Sequence, residues 1–203
     1  MKHLKSIEEP CTFEQRPNVA GVDEAGRGPL AGPVFAAAVI LPPDYQLNGL
    51  RDSKDMSAAA RRRLNDVIIK EALAYGIGYA NVAEIEELNI LHASMLAMRR
   101  AVLNLPFMPE TLIIDGNRHI PDMPIPQITV VKGDSICKNI AAAGILAKVA
   151  RDELMGQIHD RFPLYGFDRH KGYGTPEHII ALREHGPCEE HRGKFIEKVV
   201  AGG

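Results

Sequence analysis

Three acidic side chains follow apolar runs of this sequence, in positions that suit a divalent metal ion. Asp23 and Glu24 come at the end of the run that begins at Val19, and Asp115 follows the apolar run 111–114. If these runs are neighbouring parallel strands, their carboxyl ends meet at one sheet edge, where ligands usually bind. Carboxylates converging there repel one another unless a hard cation such as Mg²⁺ or Mn²⁺ intervenes. The pattern predicts a metal site, with simple turn capping as the alternative for each aspartate alone.

The glycines after this acidic pair allow a competing interpretation. Gly26, Gly28 and Gly32 follow a predicted strand, where glycine lets the backbone approach phosphates in dinucleotide-binding loops. Their spacing is G-x-G-x-x-x-G, however, and two carboxylates directly before them would repel a pyrophosphate. The order of acids followed by glycines therefore favours metal chemistry.

Asp152 has a simpler interpretation from spacing alone. It lies in a predicted helix, four residues after Lys148, and this spacing predicts an exposed ion pair of small energetic effect. Periodicity does not separate that role from a place in a metal site.

Histidines and a cysteine near the C-terminus raise the possibility of zinc. His185, Cys188 and His191 have the spacing H-x-x-C-x-x-H, but a fourth ligand is missing and a proline interrupts the segment. His170 and His178 are interpreted as structural or peripheral. A zinc site is therefore the weaker hypothesis for this segment.

The elements that must position these residues follow from hydrophobic spacing. Short apolar runs predict strands over 19–23, 34–41, 76–82, 111–114 and 127–131, the last two parallel. Helical spacing predicts helices over 58–75, 84–103 and 139–158, and another opening at Thr175-Pro176. The run Arg61–Arg63 is interpreted as a solvated helix face, with a distal contact to a nucleic-acid duplex as the alternative. This order predicts a mixed sheet covered by helices on both faces.

Length and composition predict one globular domain over residues 1–203, with 1–17 loosely packed. Hydrophobic residues make up 45% and charged residues 25% of the chain, enough for one sizeable core. The sequence contains no apolar run of the kind that a signal peptide or a membrane span needs. Its three scattered cysteines favour reduced thiols and a cytoplasmic setting. The net charge of −2 requires any nucleic-acid binding to use local patches.

The segment from Gly21 to Val34, GVDEAGRGPLAGPV, resembles the signature of the ribonuclease HII family. Further blocks follow in the family's order: Asp52-Ser53-Lys54, Ile114-Asp115-Gly116, Lys132-Gly133-Asp134, Ile140–Asp152 and Tyr165–Thr175. The resemblance covers roughly residues 18–195. It implies an α/β, ribonuclease H-like fold with a five-stranded mixed sheet flanked by helices, and a helical C-terminal part over about 160–203.

The resemblance also implies an activity. The family's four metal-site carboxylates correspond to Asp23, Glu24, Asp115 and Asp152. The implied enzyme is an endonuclease that hydrolyses the RNA strand of RNA–DNA hybrids and nicks duplex DNA 5′ of embedded ribonucleotides. Two Mn²⁺ or Mg²⁺ ions about 3.5 to 4 Å apart would activate the attacking water and stabilise the leaving oxygen. The expected products have 5′-phosphate and 3′-hydroxyl ends.

Further substrate-binding positions are implied by the same resemblance. The loop Gly26-Arg27-Gly28 would read the ribose 2′-hydroxyl, the group that distinguishes RNA from DNA. Tyr173 would stack on the following sugar and select an RNA-to-DNA junction, although such a tyrosine alone more often only packs. The candidate phosphate contacts are Lys54, Lys171 and Arg192.

Two positions depart from the family's pattern. Gly144 stands where the family commonly has serine, which removes a hydroxyl and weakens the helix by roughly 1 kcal/mol relative to alanine. Gly193-Lys194 replaces the usual serine before phenylalanine. The first departure predicts a missing polar contact near the site, and the second concerns only the C-terminal contacts.

Two alternatives keep the fold and change the function. Ribonuclease HIII is a related enzyme class, but that family normally has an additional N-terminal domain, for which too few residues precede Gly21, and a lysine in place of Arg27. A nucleic-acid-binding module without catalysis would not need all four acids. A monomer is expected, with contact to a replication clamp as a further hypothesis and no association with membranes.

Overall fold

The structure of this chain is a computed structural model that describes residues 18–43, 45 and 56–200. Lys54 and the predicted loosely packed segment 1–17 lie outside the described residues, so their predictions stay predictions. A search of the described helices finds none that is both long and apolar enough to span a membrane.

A five-stranded mixed sheet forms the centre of the fold, as expected. Its strands are β1 (Val19–Ala25), β2 (Val34–Ile40), β3 (Ala74–Ala80), β4 (Thr111–Asp115) and β5 (Gln127–Val130). They lie in the order β3-β2-β1-β4-β5. β2 pairs antiparallel with β1 and β3, whereas β1, β4 and β5 run parallel. The chain turns from β1 directly into antiparallel β2, so the helix required by the dinucleotide-binding interpretation is absent there.

Six α-helices flank or extend the sheet in the described part of the chain. They are α1 (Ala58–Glu71), α2 (Val82–Leu103), α3 (Lys138–Arg161), α4 (Phe167–His170), α5 (Pro176–His185) and α6 (Gly193–Val200). Side chains cap α1 and α5, since Ser57 accepts from the Ala60 amide and Thr175 from the His178 amide.

Helices cover both faces of the sheet, and β2 is therefore buried on both sides. Ala36, Ala38 and Ile40 pack with residues of α2, and Ala37 and Val39 pack with α1 and α3. Alternating side chains of one strand thereby join two hydrophobic cores. The continuous run of seven buried residues in β2 is typical of a central strand with helices on both faces.

The first two helices depart from the predictions in ways that the structure explains. The first helix ends at Glu71 rather than near residue 75, because Ala72 is extended and the Leu73 amide donates to Ile40 O at 2.9 Å, which starts β3 early. The long helix α2 is interrupted at Asn89, whose φ is +66°. The Asn89 side chain accepts from the Leu91 amide at 3.0 Å and so caps the second part of the helix.

Candidate metal and nucleic-acid site

The sheet brings Asp23 and Asp115 to the same edge and the same face. β1 and β4 pair in parallel with Val22 opposite Ile114, so the next residue on each strand is an aspartate. Val22 and Ile114 both belong to the core beneath α2. Because side chains alternate along a strand, Asp23 and Asp115 face the other side, which α3 covers.

Asp23 is held tightly against its surroundings. Its Oδ1 accepts from the Glu24 amide at 2.7 Å. A Cβ atom added to Gly144 of α3 would lie only 2.4 Å from its Oδ2. Burial raises the pKa of Asp23 well above its ordinary value, and the negative charges of Glu24 and Asp115 raise it further. A nearby cation would relieve this cost.

Glu24 is also partly buried near other carboxylates, but Arg27 lies beside it as a cationic partner. Burial raises its pKa and Asp115 adds to the shift, while Arg27 acts in the opposite direction. Arg27 Nη1 donates to Glu24 Oε1 at 3.1 Å, and half of the Arg27 side chain remains exposed. One exposed guanidinium therefore offsets only part of the repulsion among these carboxylates.

Asp134 is a further acidic residue near Asp115, and the sequence analysis did not identify it as a site residue. The Gly133 amide donates to Asp115 Oδ1 at 2.7 Å, and Gly133 opens a short 3₁₀ turn that includes Asp134. The charge of Asp134 contributes to the raised pKa of Asp23. The block Lys132-Gly133-Asp134 was the available signal, but its spacing did not reveal that the turn folds back onto the strand ends.

Asp152 forms the ion pair that its spacing predicts. Lys148 Nζ lies 2.6 Å from Asp152 Oδ1, with both side chains largely buried. The same ammonium lies 5.5 Å from the centre of the Tyr173 ring. Asp152 and Gly144 both belong to α3, the helix that covers the face of Asp23 and Asp115. The role of Asp152 as a metal ligand stays a prediction.

The donor set suits a divalent cation, although its geometry is open. Carboxylate oxygens are the ligands that Mg²⁺ and Mn²⁺ prefer, and burial together with the neighbouring carboxylates raises the pKa of Asp23. Over residues 18–43, 45 and 56–200, no three His, Cys, Asp or Glu side chains are arranged to hold a metal ion.

A cavity of about 330 Å³ lies beside the carboxylates. Both acids and bases line it, together with one aromatic ring: Asp23, Glu24, Asp134, Arg61, Lys148 and Tyr173. Arg61 was predicted to be part of a solvated face, but it lines this cavity and donates to Met56 O at 3.1 Å. The mixture of charges would accommodate a phosphodiester next to a metal ion.

Two glycines after β1 have different surroundings: Gly26 packs against a side chain, and Gly28 faces open space. Gly26 has a φ of +97°, and a Cβ there would lie 2.1 Å from Arg151 Nε. Gly28 is exposed, with open space where a Cβ would be. The loop therefore packs against Arg151 at Gly26 and is accessible to a ligand at Gly28.

Arg192 is placed differently from the expectation of a phosphate contact. It is fully buried, and its guanidinium donates to the carbonyl oxygens of Gly26, Arg27, Gly32 and Pro33 at 2.7 to 3.2 Å. Burial lowers its pKa to about 9. Arg192 therefore stabilises the glycine loop, because its guanidinium N–H groups bind backbone carbonyl oxygens and do not face solvent.

Tyr173 and Lys171 lie on a segment that packs against the same loop. The Leu30 amide donates to Gly172 O at 2.8 Å, and a Cβ on Gly172 would lie 2.5 Å from Ala31 O. Tyr173 is 42% exposed, so its ring is available to a ligand. Lys171 has a φ of +53° and ends α4.

The C-terminal histidines form a hydrogen-bonded chain. Cys188 N donates to His191 Nδ1 at 3.0 Å, and His191 Nε2 lies 3.1 Å from His178 Nε2. His178 Nδ1 faces Tyr173 O at 2.9 Å. His191 thus has protein partners on both nitrogens, so in this arrangement neither nitrogen is available to a zinc ion. His170 and His178 are buried, as a structural role requires.

Known proteins resemble this chain along most of its length. The sequence model of the family described as Ribonuclease HII matches residues 20–198. Proteins described as Ribonuclease HII from Burkholderia pseudomallei and Burkholderia thailandensis are each 58% identical over 177 residues, which is 87% of this chain and 82% of theirs.

Solved structures share the fold. The ribonuclease H2 from Pyrococcus horikoshii OT3 superposes with a TM-score of 0.73 at 23% identity, covering 91% of this chain and 97% of that one. Bst-RNase HIII in complex with Mn²⁺ gives 0.71 at 19% identity, covering 95% and 73%. The chain matched in the PCNA:RNase HII complex from Archaeoglobus fulgidus gives 0.69 at 22% identity, covering 88% and 94%.

Proposed function

This chain belongs to the ribonuclease HII family and is a ribonuclease H-type endoribonuclease, and from that premise we propose that it also nicks duplex DNA 5′ of embedded ribonucleotides. RNA–DNA hybrids are the substrates that its family activity implies. The observation that carries the proposal is the common sheet edge of Asp23 and Asp115, directly before the glycine loop and beside Tyr173. The expected cut leaves 5′-phosphate and 3′-hydroxyl ends.

We propose that Asp23, Glu24, Asp115 and Asp152 hold two divalent cations, either Mn²⁺ or Mg²⁺. Bound cations of this kind lower the pKa of an attacking water and neutralise charge on the leaving oxygen. The chain's own contribution is to orient the ligands. The Gly133 amide holds Asp115 and the Glu24 amide holds Asp23, so neither carboxylate rotates freely.

The glycine loop is proposed to read the ribose. Gly28 is open to solvent and has no side chain, so a sugar 2′-hydroxyl can approach backbone atoms of Gly26-Arg27-Gly28. Arg27 is proposed to contact the neighbouring phosphate with the part of its side chain that its bond to Glu24 leaves exposed. Tyr173 is proposed to stack on the following sugar, which its exposed ring supports.

The structure changes which cations we propose for the remaining phosphates. Lys148 and Arg61 line the cavity and join Lys171 as candidates. Arg192 is proposed to support the loop instead, because its donors are engaged with carbonyl oxygens. Lys54 remains a candidate from the sequence resemblance alone.

The cellular setting remains part of the proposal. A monomer in the cytoplasm is proposed, organised as one domain over 1–203. The PCNA complex of the Archaeoglobus relative supports the hypothesis of a clamp contact for this chain, at a surface that we do not assign.

The proposed activity is tested by mapping the cut in a DNA duplex that carries one ribonucleotide, with Mg²⁺, with Mn²⁺ and with EDTA. A metal-dependent nick immediately 5′ of the ribonucleotide is expected. Cleavage of long RNA–DNA hybrids without cleavage of this duplex would remove the proposed roles of the Gly26–Gly28 loop and Tyr173 while leaving the metal site intact.

The metal site is tested separately with Asp115→Asn. We expect cleavage to fall by at least about a hundredfold while substrate binding, measured by fluorescence anisotropy, stays near wild type. Asp160→Asn, which changes an exposed aspartate of α3, is the matched control and should cleave normally. Full activity of Asp115→Asn would favour the alternative of a binding module whose acids have no catalytic role.

A further inference from the structure

Arg151 is a buried cation that connects two separate segments of the site. Its side chain is fully buried in α3. Nε donates to Pro33 O at 3.0 Å and Nη2 to Ala31 O at 3.1 Å, both in the loop that follows the glycines. Nη1 donates to Lys171 O at 3.0 Å, on the segment that carries Tyr173. One rigid guanidinium thus spans both segments.

The same side chain also lies close to both proposed reading groups, Gly26 and Tyr173. Its Nε and Cδ lie so close to Gly26 that an added Cβ would be 2.1 and 2.4 Å from them. Its Cζ lies 5.9 Å from the centre of the Tyr173 ring. Arg151 therefore lies between the residue that begins the glycine loop and the exposed aromatic.

We propose that Arg151 is a positioning residue that sets the distance between the Gly26–Gly28 loop and Tyr173, and thereby the selectivity for a ribose followed by a deoxyribose. The inference rests on the proposed function of these two elements. Recognition of two successive sugars requires a fixed distance between the Gly26–Gly28 loop and Tyr173. Misplacement of such groups by about 1 Å can cost about a hundredfold in rate. Arg151 fixes that distance because its planar fork engages both segments at once.

Arg192 provides a matched control within the same site. It is also fully buried, and its guanidinium also donates only to carbonyl oxygens in the contacts described above. Those carbonyls all belong to the glycine loop and its continuation to Pro33. Arg192 thus supports one segment, whereas Arg151 connects two.

The experiment compares Arg151→Lys with Arg192→Lys on two substrates, a duplex with one ribonucleotide and a uniform RNA–DNA hybrid. Lysine keeps the charge but cannot reproduce a bond to each segment in the guanidinium's planar geometry. For Arg151→Lys we expect kcat on the single-ribonucleotide duplex to fall about tenfold to a hundredfold, with a smaller loss on the hybrid. Arg192→Lys should lower both activities in parallel and leave their ratio unchanged.

A double-mutant cycle with Tyr173→Ala tests whether Arg151 acts through the tyrosine segment. In the Tyr173→Ala background, Arg151→Lys should cause little further change in the ratio of the two activities, because the second reading element is already lost. An equal change of the ratio in both backgrounds would overturn the proposal, as would an equal change in Arg151→Lys and Arg192→Lys.

A third variant covers the case in which Arg151→Lys does not fold, as judged by circular dichroism. Gly172→Ala places a Cβ 2.5 Å from Ala31 O and so separates the two segments without altering Arg151. The ratio of the activities should again fall, and an unchanged ratio would refute control by this distance. Wild-type protein that cuts hybrids but not the single-ribonucleotide duplex would instead contradict the proposed function on which the inference rests.

Discussion

Lys148 Nζ lies 2.6 Å from Asp152 Oδ1 and 5.5 Å from the centre of the Tyr173 ring, so one cation contacts both a proposed metal ligand and a proposed substrate-stacking ring. An ammonium and a divalent cation compete for the same carboxylate oxygen. Binding of metal by Asp152 would release Lys148 toward the cavity that Lys148 lines.

Lys148→Met should therefore tighten metal binding. Removing a partly exposed ion pair worth about 1 kcal/mol at most is expected to raise Mn²⁺ affinity by up to about fivefold, measured by calorimetry without substrate. Lys148→Arg keeps the charge and should stay near wild type. The gain should disappear in the Asp152→Asn background, and a gain that persists there would mean that Lys148 acts by its general charge and not through Asp152.

Gly144, where the family commonly has serine, is expected to set the position that the Asp23 carboxylate adopts in this chain. In Gly144→Ala the new Cβ would lie 2.4 Å from Asp23 Oδ2, so that carboxylate must rotate away. We expect weaker Mn²⁺ binding by about tenfold, comparable to other losses of ligand orientation. Any gain in helix propensity should be cancelled by this contact.

Gly156→Ala is the matched control for that variant, because it lies in the same helix with open space around the added methyl group. It should raise the melting temperature by about 2 to 4 °C, from the roughly 1 kcal/mol by which alanine exceeds glycine in helices. Metal binding should not change. Equal effects of the two variants on metal affinity would contradict the contact between Gly144 and Asp23.

Asp134 should contribute charge rather than coordination. Its negative charge acts on Asp23, so Asp134→Asn is expected to raise the Mg²⁺ concentration for half-maximal cleavage by about fivefold, as expected for a charge at intermediate distance in partly screened surroundings. Cleavage at saturating Mg²⁺ should be retained, and Asp134→Glu should resemble wild type. Loss of activity at saturating metal would identify Asp134 as a direct ligand.

The sequence was sufficient to predict the strand-end carboxylates. Asp23 and Asp115 each follow an apolar strand, and parallel pairing of those strands brings them together for general reasons of sheet geometry. The five strands and the covering helices follow from the same hydrophobic spacing. The start of β3 was predicted two residues too late. The hydrogen bond from Leu73 to Ile40 that starts this pairing cannot be predicted from local propensity.

Arg151 shows what sequence patterns do not contain. A charged residue next to Asp152 resembles the exposed face of a helix, and its burial depends on carbonyl groups such as that of Ala31, 120 residues earlier. Arg192 was singled out for its charge, but its hydrogen bonds turn that charge inward. Such roles depend on which backbone groups the finished fold leaves without partners.

Acid sensitivity is expected from the chain of His178 and His191. His178 Nδ1 must carry a proton to donate to Tyr173 O, so its Nε2 accepts from His191 Nε2, and His191 Nδ1 accepts from the Cys188 amide. Both imidazoles are neutral in this arrangement. Burial lowers the pKa of His178, with a further lowering by the charge of His170, and burial and the charge of His178 lower the pKa of His191 to about 4.

Because the pKa of each ring is lower in the folded state than the ordinary 6.5, the unfolded chain binds more protons, and stability rises with pH. The contribution is complete above about pH 6.5 and is lost as the pH falls toward 4, by roughly 3 kcal/mol for His191. Urea unfolding at several pH values between 7.5 and 4 measures this loss. His191→Gln should be less stable at pH 7.5 but lose less stability on acidification, and a slope equal to that of the wild type would show that the acid sensitivity arises elsewhere.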